Sequence, residues 1–170
     1  MPRRIAREDL AYDSIANTWD DLISSYDTNR RIEVLVHDFL GAERLQGKTC
    51  LEGGCGLGYF SLEVLKFGPG RIVAVDIAPN LVARLAARSA AIEARTADVL
   101  ALSNSVPESF DVVVSSEVIE NTPDPKAAVR SLLACVATGA SGGLSDSDPR
   151  RLRRMQGVHS FPLSPAPESI

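Results

Sequence analysis

The chain predicts an α/β fold: a parallel sheet of the doubly wound type, with a helical segment ahead of it. Three observations carry this. Strand-like and helix-like signals alternate from residue 48 to residue 137, the pattern of strands joined by right-handed helical crossovers. Gly53, Gly54, Gly56 and Gly58 crowd into the turn after the first strand-like run. The run "FDVVVSS" is apolar without alternation, as a strand covered on both faces should be.

The elements follow in order. From residue 8 to residue 40 the spacing is helical. Tyr12, Ile15, Ala16, Trp19, Leu22 and Ile23 share one apolar face, either packed or serving with Tyr26 as a lid. Asp27 or Thr28 can cap a second helix carrying Ile32, Leu35, Val36 and Phe39. "TCLE" reads as a strand, "YFSLEVLKF" as a helix closed by "GPG", and "RIVAVD" as the second strand. Pro79 opens a helix, at a position that needs no amide hydrogen. "IEARTAD" and "FDVVVSS" are the third and fourth strands, and Asp124 with Pro125 starts a further helix. Three segments result: a helical one at 1–47, an α/β core at 48–137, and a polar, Pro/Ser-rich tail at 138–170 that reads as loop or disorder. The arginines from Arg150 to Arg154 read as a solvated run.

Composition bounds the function. At 170 residues the chain can bury one real core. Its formal net charge of -4 lacks the basic footprint of a nucleic-acid binder. No apolar run reaches the roughly 18 to 20 residues of a membrane span. The start, "MPRRIARED", does not read as a secretory signal. Cys50, Cys55 and Cys135 show no paired spacing, and free thiols point to the cytoplasm. His37 and His159 are isolated, which argues against a metal site.

The glycine turn asks for a particular ligand. A dinucleotide fingerprint, G-x-G-x-x-G, started at Gly54 would need glycine where Tyr59 stands. Its pyrophosphate would also meet Glu52 at the head of the turn. A P-loop would need a lysine and a hydroxyl residue after the last glycine, and "GLGYF" has neither. A cationic nucleoside, S-adenosylmethionine, suits a carboxylate at Glu52. Asp76, ending the second strand, can accept ribose hydroxyls, and Asp98, beyond the third, can accept from an adenine amino group.

In "LEGGCGLG", "VAVDIAP", "TADVL" and "FDVVVSSEVIENTPDP" the chain resembles the class I S-adenosylmethionine-dependent methyltransferases. "YDSIANTWDDL" followed by "NRRIEVL" looks most like the ubiquinone-biosynthesis O-methyltransferase type. The resemblance implies a Rossmann-like sheet, with its first and fourth strands flanking the cofactor. It implies that Glu52 and the backbone of Gly54 and Gly56 face the methionine part, with Gly53 also in the cofactor site. Asp76 and Ile77 would hold ribose and adenine, and Asp98 and Val99 the adenine edge. Ser115 would offer its carbonyl to the ammonium, and Arg31 would pair with the methionine carboxylate. Read without the resemblance, Arg31 is a solvated helix arginine, Asp98 a helix cap and Cys55 a small residue that fits.

Two departures bear on function. Where the family has Glu-His the chain has Glu120-Asn121, and asparagine is no general base near neutral pH. The resemblance also implies three further strands after residue 137, for which the polar tail leaves no room, so the fold reads as C-terminally truncated. The expected activity is methyl transfer to a small molecule at oxygen, with no catalytic base assigned. The alternative is an impaired form that binds only cofactor or a protein partner. An uncovered fourth strand would expose an apolar edge and favour a homodimer.

Overall fold

The computed structural model describes residues 25–145 and 159–160. Helix α1 (Ser25–Ile32) runs into eight residues wound in the wider π pattern, Glu33–Leu40, and then into the short α2 (Gly41–Leu45). The alternating core follows: β1 (Thr49–Gly53), α3 (Tyr59–Leu65), β2 (Arg71–Asp76), α4 (Pro79–Arg88) and β3 (Glu93–Thr96). A 3-10 segment, Val99–Asn104, leads to β4 (Phe110–Ser116), the short turn Ile119–Asn121 and α5 (Pro125–Ala134). The chain continues as β5 (Val136–Ser145) and β6 (His159–Ser160).

Among the described residues, all six strands pair in parallel, in the order β3-β2-β1-β4-β5-β6. The order reverses beside β1, so the β1 and β4 ends splay apart and leave a crevice at their carboxyl ends. Side chains alternate across the sheet with period two. Cys50, Ile72, Ala74, Val112 and Val114 face the cluster that includes Leu35, Val36 and Leu40 from the π segment and Phe60 and Val64 from α3. Leu51, Val73, Val75 and Val113 face the opposite cluster, with Leu102, Phe110, Val129 and Leu132. Every one of these residues is buried.

Polar ties fix the amino end of the sheet. Asp111 on β4 accepts from both the backbone N–H and the hydroxyl of Thr49 on β1, each at 2.9 Å. Arg71, Arg95, Glu93 and Glu108 close a four-membered ion network, with Arg71 Nε 2.7 Å from Glu93 and Arg95 2.9 Å from Glu108. Contact with Arg71 first, then Arg95, holds the Glu93 carboxyl down at about 2.

Three expectations change. The capping role foreseen for Asp27 or Thr28 does not hold, because α1 already begins at Ser25 and both residues lie inside it. The boundary placed after residue 137 falls inside β5, so residues 138–145 form a strand where a loop was expected. That strand covers β4 from Phe110 to Ser116. The exposed apolar edge, and the association expected through it, therefore lose their basis. The face drawn from Tyr12 to Ile23 lies outside the described residues.

Candidate functional site

At the carboxyl ends of β1, β2 and β4 lies a cavity of about 710 Å³. The turn from Gly54 to Gly58 forms its floor, and local geometry explains the glycines there. Gly54 has φ +76°, and a Cβ on it would stand 2.2 Å from Val118. Gly58 has φ +74°, and a Cβ there would meet Leu85 at 2.3 Å. No L-residue with a side chain fits either position without strain. The N–H groups of Gly54 and Cys55 both donate to the Val75 carbonyl, at 2.7 and 2.9 Å, which ties the turn to β2.

Glu52 is 7% exposed. Its Oε2 accepts from the Ser61 backbone N–H at 3.0 Å and from the Ser61 hydroxyl. Ser61 is the third residue of α3, so Glu52 caps this helix from the strand before it. Burial pushes the Glu52 carboxyl up to about 8; the two bonds from Ser61 oppose that shift, and the nearby Asp76 adds to it. The buried thiol of Cys55 is pushed well up by its burial and by the same two acids. Asp76 is 9% exposed. It accepts from the Gly56 N–H at 2.8 Å through one oxygen and from the Ala78 N–H at 2.9 Å through the other. Asp98 caps the 3-10 segment, accepting from the Leu100 N–H at 2.9 Å, and lines the cavity as well.

Arg31 reaches in from α1. Its side chain is 17% exposed, and Nη1 stands 3.9 Å from Glu117 Oε2. The reading of Arg31 as a solvated helix arginine is thereby corrected. Glu117 follows β4 with φ +56°, a conformation that costs a non-glycine residue about 1 to 3 kcal/mol and gathers at functional sites. Asn121 donates from Nδ2 to the Glu117 carbonyl at 3.0 Å. In this place the asparagine braces a strained loop.

Of the residues singled out from sequence, Arg31, Glu52, Gly54, Gly56, Asp76, Ile77, Asp98 and Val99 all line the cavity. Gly53 and Ser115 are not among its lining residues. A Cβ on Gly53 would meet Leu132 of α5 at 2.6 Å, so that glycine serves packing on the other face. Ser115 is fully buried, and its hydroxyl donates to the Gly53 carbonyl at 2.8 Å. Its neighbour Ser116 lines the cavity. The alternation of β4 carries this signal: Val112 and Val114 face the α1–α3 side, and Ser116 continues their series. Thr28, Tyr59, Glu117 and Asn121 also line the cavity and were missed. Tyr59 stacks under Arg88, 5.1 Å from the ring centre, and Arg88 donates to the Leu57 carbonyl at 3.0 Å. α4 thus steadies the glycine turn through one side chain.

Known proteins resemble this chain in sequence and in fold. Ubiquinone biosynthesis O-methyltransferase of Xanthomonas campestris pv. campestris is 31% identical over 137 residues, covering 78% of this chain and 57% of its own length. The Neisseria meningitidis protein of the same name is 34% identical over 126 residues, covering 71% of this chain and 53% of its own. The chain therefore spans little more than half the length of these curated relatives. Among solved structures, a DhpI-SAM-HEP complex superposes with a TM-score of 0.65 at 21% identity, over 86% of this chain and 69% of the other. A putative S-adenosyl-L-methionine-dependent methyltransferase from Methanococcus maripaludis gives 0.61 at 17% identity, over 85% and 67%. These two likenesses concern the fold. The family model for a methyltransferase domain matches residues 25–163, most of the chain, and with it this protein belongs to the methyltransferase-domain family.

Proposed function

We propose that the chain binds S-adenosylmethionine and transfers its methyl group to a small molecule at oxygen. The observation that carries this reading is Glu52 seated on the Ser61 amide at the start of α3. A phosphate binder keeps those first amides free for its anion. Here the buried Glu52 carboxyl already takes one, which withholds it from a pyrophosphate, and the ionised form of that carboxyl suits an ammonium or sulfonium. The residues present fit such a group: acids stand at or just beyond the carboxyl ends of three strands, and a cation, Arg31, stands on α1. The names of the curated relatives favour oxygen as the acceptor atom.

When bound, the cofactor supplies an electrophilic methyl on its sulfonium. The chain's own residues bind and orient. Glu52 and the backbone of Gly54 and Gly56 face the methionine part. Asp76, with Ile77, takes the ribose. Asp98 and Val99 flank the adenine, and Arg31 meets the methionine carboxylate. Asn121 has no basic nitrogen, and its amide is committed to the Glu117 carbonyl. The chain's contribution is therefore placed in proximity and orientation of the two reactants.

A radiolabelled methyl-transfer assay on matched panels of phenols and amines tests the proposal. Label in phenol ethers supports it. Label confined to the amines would overturn the choice of oxygen.

A further inference from the structure

One more residue of this cavity is assigned by what its buried atoms lack, given the S-adenosylmethionine reading above. Thr28 and Arg31 stand three residues apart on α1 and so share a face. Both line the cavity. Thr28 is only 6% exposed. Its Oγ1 is nevertheless buried without a hydrogen-bond partner among the described residues, and so is Nε of Arg31. Buried polar atoms in folded proteins are almost always hydrogen-bonded. Two orphans one helical turn apart on the same cavity wall therefore point to a partner that enters the cavity.

The chemistry of that partner follows from the donors. Nε of a guanidinium can only donate, and a threonine hydroxyl can donate alongside it. The contact with Glu117 runs through Nη1 at 3.9 Å and leaves Nε. A single oxyanion group with two oxygens would satisfy both orphans and Arg31's charge together.

We propose that Thr28 is a ligand-contacting residue, whose hydroxyl donates to the methionine carboxylate of the cofactor beside Arg31 Nε. Thr28→Val removes the donor and nearly keeps the shape, whereas Thr28→Ser keeps the donor. Each variant is titrated calorimetrically with S-adenosylhomocysteine and with methylthioadenosine, which has the nucleoside and thioether but no carboxylate. Thr28→Val should bind S-adenosylhomocysteine about tenfold more weakly. Thr28→Ser should stay close to the parent, and both should bind methylthioadenosine as the parent does. Unchanged affinity of Thr28→Val for S-adenosylhomocysteine overturns the inference. So does an equal loss for both ligands, which would mark Thr28 as merely holding α1. A parent protein that binds neither ligand would instead fail the underlying reading of the site, and this inference with it.

Discussion

Asp76 does two jobs with one carboxylate, and both follow from its place at the end of β2. It holds the glycine turn through Gly56 and the next turn through Ala78, and it faces the cavity. Asp76→Ala should therefore weaken S-adenosylhomocysteine by roughly ten- to a hundredfold in calorimetry and also lower the unfolding temperature. A loss of affinity with no loss of stability would mean that the turn does not depend on this acid. Glu52 makes a prediction in pH. Its folded value near 8 lies above its ordinary 4.5, so the folded state binds the proton more tightly than the unfolded one does. Its contribution to stability is fully present below about 4.5 and is lost as pH rises to about 8. The ammonium of S-adenosylhomocysteine favours the ionised form, so affinity should rise as pH approaches about 8 and then level off, with proton release on binding. Glu52→Gln should flatten that profile; a wild-type profile already flat from pH 5 to 8 would contradict it. The three strand-end acids and the turn glycines were legible in the sequence because charge and φ requirements are local. Ser116, whose side chain faces the cavity from β4, was not, because one step along a strand exchanges the two faces of the sheet.

Among the elements, α5 shows how a glycine in the motif can serve packing instead of the ligand. Leu132 is fully buried, and it occupies the space that a Cβ on Gly53 would need. Leu132→Ala should cost about 2 to 5 kcal/mol in denaturant unfolding. Gly53→Ala should also destabilise, and the double variant should recover part of that loss because the smaller side chain makes room. Additive losses would refute the packing role. The helices were legible where punctuation marked them: Pro79 opens α4, and Asp124 caps α5 by accepting from the Ala127 N–H at 2.9 Å. The π-wound stretch Glu33–Leu40 was not legible, since its buried Leu35, Val36 and Leu40 fit an ordinary helical face equally well. Arg31's inward direction was legible only through the resemblance, because a charged side chain on a helix does not by itself reveal which neighbour packs over it.

For the whole molecule, the sheet order follows from the crossovers, and β5 is the element that composition concealed. Its sequence, "VATGASGGLS", is too small and polar to read as a strand; it becomes one by pairing with the long apolar β4. Ending the chain after Cys135 should uncover that edge and raise light scattering above that of the full chain. Equal scattering would mean that β5 does not protect β4. The central claim is that this crevice takes a nucleoside carrying an amino acid, with its ammonium, where similar folds take a dinucleotide. Calorimetric titration of the purified full chain with S-adenosylhomocysteine and, separately, with NAD tests it most directly. Saturable binding of S-adenosylhomocysteine, with none of NAD, is the predicted result. Tight binding of NAD, with S-adenosylhomocysteine inert, would contradict it.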